Sequence, residues 1–312
     1  MKTILTLTML SLSATAAAAP FKILAPSTAG GGYDTLARNL AKAFDQTRLA
    51  PGSTVYNIPG DGGVVGLRQF TASQRGQGDQ LVVFGLTTIA SLQLTKDSPV
   101  SLKDLTPLAR LTNDYEVLLV PATSSIRSLG DLIGAYKTTP GLRFGGASVG
   151  SAGHLFTGNV LQAGGGNIRT LKWIPSSGNL QAIKAMLGGE LDVVSSSYGV
   201  AEPEIQAGRV RALALSAPEP VAGINVPTAR SLGIDAELVN WRGVFAPSNL
   251  SSEDKARLTS TIGRLARSKE WRTLLTAEKQ NSFFQPGISF SYFLDREAPR
   301  IQTLLKDLGL LN

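Results

Sequence analysis

Apolar residues along the chain follow two alternating rhythms. Short, nearly continuous apolar runs suit strands buried on both faces of a sheet. Such runs are Phe21–Ala25, Thr54–Ile58, Leu81–Leu86, Glu116–Val120, Leu142–Gly146, Leu171–Ile174, Leu191–Ser195, Arg211–Leu215 and Trp241–Ala246. Between them the spacing turns helical. Leu36, Leu40 and Phe44 recur after the glycines at 30–32, and Leu180, Ile183 and Leu187 recur before Gly188-Gly189, a helix stop. Leu258, Ile262 and Leu265 follow Ser251-Ser252-Glu253, an N-cap region. Phe290, Phe293 and Leu294 open a last helix, which Pro299 is expected to break or kink. Strand alternating with helix predicts an α/β fold with mostly parallel sheets.

The units form two groups, one from Phe21 to Leu118 and one from Leu119 to Asn240. The segments Glu116–Pro121 and Trp241–Pro247 are both strand-like and both end in proline, so they read as two chain crossings. The C-terminal helices then return to the first group. This predicts a lobe of residues 19–118 plus 241–312, a second lobe of residues 119–240, and a hinged cleft between them.

Residues 1–18 read as a secretory signal: Lys2, the apolar stretch Ile4 to Leu12, then small residues from Ala14 to Ala19, with cleavage expected after Ala18. The expected location is therefore the periplasm. Hydrophobic residues make up 43% and charged residues 17% of the 312, which excludes disorder. The chain has no cysteine, which excludes disulfides, thiolate metal sites, a thiol nucleophile and a lipoprotein anchor. With a single histidine, His154, no metal and no cofactor are expected. The formal charge is +7, and removal of Lys2 leaves +6. Its basic residues are scattered and aromatics are 6%, so no nucleic-acid partner is expected. A mild positive field that draws small anions accounts for the charge, as does plain solubility.

In open α/β sheets, ligands bind outside the carboxyl ends of strands. Polar and glycine-rich residues cluster there. The first strand leads through Thr28, Ala29, Gly30, Gly31, Gly32 and Tyr33 to Asp34. The second ends in Asn57 and Gly60, and the third in Thr87 and Thr88. In the second lobe, Ser148, Ser151, Ala152 and His154 lead into a helix, Ser177 opens the next, and Ser196 and Tyr198 follow another strand. Backbone N–H groups and hydroxyls of these loops suit an anion. Asp34 is expected to cap free N–H groups rather than meet the ligand. The nearest basic residues are read as Arg38 and Arg68, both inside helices. The ligand charge is thus expected to fall on helix N-termini, on Thr28, Thr87, Ser148 and Ser177, and on waters, with no arginine clamp.

Two stretches come close to enzyme motifs. Gly146-Ala147-Ser148-Val149-Gly150 matches the G-x-S-x-G elbow of serine hydrolases, but the one histidine lies on the same helix instead of far downstream. Gly60 to Gly66 misses the dinucleotide pattern by one position. His154 reads either as a polar residue of a helix start or as a hydrogen-bond donor to a carboxylate. An exported hydrolase using Ser148 stays as the alternative to a binding protein.

The chain resembles the substrate-binding proteins of tripartite tricarboxylate transporters, the Bug or TctC family. The resemblance rests on Gly30-Gly31-Gly32-Tyr33-Asp34, Asn57-Ile58-Pro59-Gly60-Asp61-Gly62-Gly63, Leu105 to Leu111, Gly208 to Ala214 and Asn240-Trp241-Arg242-Gly243-Val244-Phe245-Ala246-Pro247. It implies a type II periplasmic binding protein, with two doubly wound α/β lobes joined by crossing strands. It also implies a monomer that binds a di- or tricarboxylate such as citrate and delivers it to a membrane permease. An aromatic or amino acid carboxylate is the alternative ligand. The chain departs from the citrate-binding branch at Tyr33, Gly153, Gly178-Asn179-Leu180 and Ser197-Tyr198-Gly199-Val200, positions expected to line the pocket.

Overall fold

The computed structural model describes residues 18–96, 100–139, 141–277 and 280–311. The expected signal segment lies outside the described residues except for Ala18, whose N–H donates to the Leu49 carbonyl (2.8 Å). The chain opens with β1 (Lys22–Ala25), α1 (Gly32–Thr47), β2 (Thr54–Asn57), α2 (Val64–Ser73), β3 (Gln80–Gly85) and α3 (Leu86–Leu94). A 17-residue strand, β4 (Leu105–Pro121), follows. Next come α4 (Leu129–Thr138), β5 (Phe144–Gly146), α5 (Ala152–Ala163), β6 (Trp173–Pro175), α6 (Asn179–Leu187), β7 (Val193–Ser197), α7 (Tyr198–Gln206) and β8 (Val210–Leu215). The chain returns through β9 (Val239–Pro247), then α8 (Ser252–Arg267), α9 (Lys269–Ala277), β10 (Asn281–Pro286) and α10 (Gly287–Asp307).

One long strand organises the sheet. The first half of β4 pairs antiparallel with β9 and β10; its second half pairs antiparallel with β7 and β8. Beyond β9 lie β3, β1 and β2, mutually parallel, and beyond β7 lie β5 and β6, parallel to it. The register shows where these strands stop. Gly85, the end of β3, lies opposite Arg242, which lies opposite Thr112. Ser197, the end of β7, lies opposite Glu116. The two parallel sets therefore run toward each other along β4. Their carboxyl ends meet between Thr112 and Glu116, a span of about 13 Å at the rise of an extended strand.

The apolar runs that predict the inner strands become buried, whereas β2 and β6, at the two ends of the strand order, are only partly covered and Ile174 is exposed. Leu24, Phe84, Trp241, Phe245, Phe290, Phe156 and Leu305 belong to one continuous core that reaches both halves of the sheet. Leu36, Leu40, Phe44, Leu258, Ile262 and Leu265 belong to a second core. Phe84 on β3 stacks on Phe245 on β9, with ring centroids 3.9 Å apart. Helix α10 packs on β4 and α3 and reaches α5, where Gln162 Nε2 donates to Asp307 Oδ2 (3.1 Å).

Three expectations are corrected. Pro299 does not end the last helix: α10 runs for 21 residues through it. The missing N–H forfeits one bond, to the carbonyl of exposed Asp295, while Leu294, Ile301 and Leu305 stay buried on the other side. The strand expected at Glu116 begins at Leu105, and β10 was not expected. On α6 the buried residues are Ala182, Ile183 and Met186, whereas Leu180 and Leu187 are exposed.

The Phe84–Phe245 stack joins the parallel strands to the crossing strand, so Phe245→Ala should cost about 3–5 kcal/mol in denaturant unfolding. Phe245→Leu should lose less than half of that. A loss under about 1 kcal/mol for the alanine variant would show that the β3–β9 junction does not depend on this contact.

Candidate functional site

Six helices follow the carboxyl ends of the parallel strands, α3 and α7 directly and the other four after short loops, and their first turns share one feature. The N-cap residues of α1, α2, α3, α5, α6 and α7 are Gly31, Gly63, Gly85, Ser151, Gly178 and Ser197, and none of their side chains caps its helix. By contrast, Ser128 and Ser251 cap α4 and α8, accepting from the N–H groups of Asp131 and Asp254. The only other uncapped α-helix among the described residues with an assigned N-cap, α10, starts at Pro286. A helix start leaves N–H groups unbonded and carries the positive end of the helix dipole. Six such starts aimed at one region make a surface of neutral donors suited to an anion.

The loops of the first half are tied together by the polar residues that the sequence singles out. Asp34, buried in the first turn of α1, accepts from Gly30 N–H (2.8 Å), Arg38 Nε (2.8 Å) and Asn57 Nδ2 (2.9 Å). Burial opposes its charge, but the bonds from Arg38, Gly30 and Asn57 outweigh this and hold the carboxyl below the usual range. Asn57 also donates to the Ser27 carbonyl (3.1 Å). Thr88 Oγ1 lies 3.0 Å from the Tyr33 hydroxyl and donates to the Gly62 carbonyl (2.9 Å). Gly62 and Gly63 both have positive φ, and a Cβ on Gly62 would lie 2.0 Å from Ser91 Oγ. Asp34, Asn57 and Thr88 thus serve as scaffold. Thr28, Ala29 and Gly32 are exposed, and Gly31, Tyr33 and Thr87 are half-buried; these present the donors, while Gly60 turns the second loop at φ 131°.

In the second half, Ser148 and Ser177 are exposed in the loops after β5 and β6. Ser151, Ala152 and His154 lie buried at the start of α5, Ser196 is buried in β7, and Tyr198 is half-buried in α7. The His154 ring stacks on Trp173 (4.7 Å between centroids), and its Nδ1 accepts from Gly150 N–H (3.1 Å). Burial pushes the imidazole down to about 4, so it is neutral with its proton on Nε2. This arrangement supplies a donor and gives Ser148 no base: Nδ1 is engaged, and no hydrogen bond joins Ser148 to His154 among the described residues. Gly153 does not line the cleft as expected. A Cβ there would sit 3.1 Å from the Ser195 side chain, between α5 and β7.

Between the two loop groups, β4 and β9 present a polar face that sequence reasoning missed. Thr112, Asp114 and Glu116 alternate onto one side of β4; Asn240 and Arg242 lie opposite on the same side. Arg242 forms an ion pair with Asp114, and Asn240 Nδ2 donates to Glu116 Oε1 (3.0 Å). The Arg242 guanidinium also lies against Gly32, where a Cβ would be 3.0 Å from Nη2. Arg242 therefore joins Arg38 as a basic group at the glycine loop, which sequence reasoning had not placed there. Glu116, 2% exposed, is pushed up to about 7 by burial, against the opposing pull of Asn240 and Arg242. Buried and without a hydrogen-bond partner are Thr112 Oγ1, Ser151 Oγ and Ser195 Oγ. Buried hydroxyls are seldom left so, which marks the strand ends as places for a further polar group. The other face of the crossing is structural: Trp241 packs between Phe290 and Phe293 and donates to Glu297 Oε1 (3.2 Å). No group of histidines and acids with metal-holding geometry occurs among the described residues.

Two predictions follow from these contacts. Asp34→Ala should lower stability on the order of 1–3 kcal/mol, and Asn57→Ala should add little in the double variant, since the two share one bond. Strict additivity in a double-mutant cycle would show that the loops are held independently. The second concerns pH. Folded Glu116 keeps to about pH 7 a proton that the unfolded chain releases near 4.5, so its contribution to stability falls as pH rises through that window. His154 acts oppositely: the unfolded chain binds a proton near 6.5 that the folded state refuses until about 4, so stability is lost as pH falls. The wild type should show these slopes partly cancelled. Glu116→Gln should show stability climbing between pH 4 and 6.5, and His154→Gln should show it declining between pH 4.5 and 7, each by up to roughly 3 kcal/mol. Chemical unfolding at a series of pH values checks both, and slopes of the same sign in the two variants would contradict the assignment.

Comparison with known proteins agrees with this geometry. The model of the tripartite tricarboxylate transporter family receptor, TctC, matches residues 35–310. Protein BugT of Bordetella pertussis is 29% identical over 258 residues, covering 81% of this chain and 78% of BugT. Among solved structures, MatC of Rhodopseudomonas palustris with bound malate has a TM-score of 0.76 at 23% identity, covering 92% of this chain and 98% of MatC. Rpa4515 of R. palustris with adipate has a TM-score of 0.80 at 20% identity, covering 93% and 97%. The fold is that of the type II periplasmic binding proteins. With strand ends and open helix starts converging on one crossing, and a family match from Thr35 to Leu310, the chain belongs to the tripartite tricarboxylate transporter receptor family, whose members are periplasmic solute-binding proteins.

Proposed function

We propose that this protein captures a di- or tricarboxylate anion in the periplasm and hands it to the membrane permease of a tripartite tricarboxylate transporter. The observation that carries this reading is the set of six uncapped helix starts at the meeting strand ends. Each offers first-turn N–H groups and a partial positive charge to a carboxylate without burying a free cation in the empty cleft. The exposed hydroxyls of Thr28, Ser148 and Ser177, half-buried Thr87 and the Nε2–H of His154 add side-chain donors. Bound malate and adipate in the two structural neighbours support a small organic acid as the ligand.

In this reading residues 19–118 with 241–312, and residues 119–240, act as lobes that close on the ligand by bending β4 and β9 near Thr112–Glu116. Residues 1–18 direct export, and the mature chain works as a monomer. No helix among the described residues is long and apolar enough to cross a membrane, and in this reading translocation is left to the permease.

A thermal-shift screen of organic acids tests the proposal. A carboxylate at a hundred times its dissociation constant should add about 2.7 kcal/mol of stability. Ser148→Ala or Ser177→Ala should then weaken binding by about 1–3 kcal/mol. Failure of every acid to raise the melting temperature, together with stoichiometric labelling of Ser148 by a fluorophosphonate, would replace the binding protein with a hydrolase.

A further inference from the structure

Resting on the reading of the cleft as a carboxylate site, the polar face of the crossing strands bears on how much charge that carboxylate can carry. The face holds two acids and one base: Asp114, Glu116 and Arg242. Arg242 is already paired with Asp114, while Glu116 is met by the neutral amide of Asn240. With both acids ionised the face carries one net negative charge. The second guanidinium at the glycine loop, that of Arg38, is likewise paired, with Asp34. Thr112 Oγ1, fully buried on the same face and without a hydrogen-bond partner, indicates that this surface meets a further polar group.

The donors above this face are helix starts, each worth only a fraction of a unit charge. One carboxylate can rest on the starts of α1 to α3 and another on those of α5 to α7. A third would find no separate set of helix starts and would add repulsion from Asp114 and Glu116, which is screened less as a closing cleft sheds water. Beside the exposed hydroxyls of Ser148 and Ser177, the second-half helix starts also carry exposed apolar side chains: Val149 before α5, Leu180 in α6 and Val200 in α7.

We propose that Asp114 and Glu116 are specificity-determining residues that, within the di- or tricarboxylate class, favour a dicarboxylate with a largely apolar body over a tricarboxylate. Two extended carboxylates then span the cleft, one per lobe, and the acids of the crossing strands exclude a third charge between them.

Calorimetric titration of the full-length mature protein at pH 8 and constant ionic strength tests this with three matched probes. Glutarate is the dianion, tricarballylate is the same chain with a third carboxylate at the central carbon, and 3-isopropylglutarate is a dianion of that bulk. The wild type should bind glutarate and 3-isopropylglutarate at least tenfold more tightly than tricarballylate. Asp114→Asn and Glu116→Gln should each reduce the glutarate-to-tricarballylate ratio by fivefold or more. Tricarballylate binding the wild type as well as glutarate would overturn the proposal. So would equal rejection of 3-isopropylglutarate and tricarballylate, which would make size the filter, or an unchanged ratio in both folded variants. If no carboxylate in this set or in the wider acid screen binds, the carboxylate reading itself fails and the charge limit with it.

Discussion

The antiparallel pairing of β4 with β9 determines where every other strand of the sheet must stop. Asp114 opposite Asn240 and Thr112 opposite Arg242 place the return of the chain beside its first crossing. β3 docks on β9 and β7 docks on β4, each in a register set by that pair. Two parallel sets of strands running in opposite senses then end face to face. The helices that follow them must start there, because a parallel connection turns at the carboxyl end of its strand. The convergence of helix starts is a consequence of strand direction before any side chain there is considered.

What the cleft offers is set by what its loops omit. Glycine at the N-caps of α1, α2, α3 and α6 leaves the helix starts without a side-chain cap, although in α3 the Thr88 N–H donates to the Tyr33 hydroxyl (3.3 Å), whereas Ser128 and Ser251 cap the starts of α4 and α8 elsewhere. Polar side chains do occur in the loops, but the strongest of them are spent on architecture. Asp34 and Asn57 bind the first loop to the second, Thr88 binds the third to both, and Trp173 and Gly150 hold His154 in one orientation. The site is rigid where it must aim its N–H groups, and neutral where a cation would be costly to leave buried and empty.

Much of this was legible in the sequence because it rests on local signals. Apolar runs such as Leu81–Leu86 and the glycines at 30–32 and 60–63 mark strand ends and helix starts within a few residues of themselves. The polar crossing was not legible. Arg110, Thr112, Asn113 and Asp114 interrupt the apolar pattern of β4, so its first half did not read as a strand. The partners of Asp114 and Glu116 are more than a hundred residues away and meet them only through the β4–β9 register. The exposure of Leu180 and Leu187 was hidden for the same kind of reason: spacing identified a helix, but the buried face of α6 was chosen by its packing on β7, which favoured Ala182, Ile183 and Met186. Pro299 shows the converse, a strong local signal overruled by a well-packed helix face.

The central claim is that a carboxylate is held by helix starts from both halves of the sheet at once. Backbone amide chemical shifts recorded during titration with glutarate test it most directly. The account predicts large, saturable shifts in the first turns of α1 and α3 and, at the same ligand concentration, in those of α5 and α6, with the amides of capped α4 and α8 unmoved. Saturable shifts confined to one half of the sheet, or equally large at α4 and α8, would contradict it.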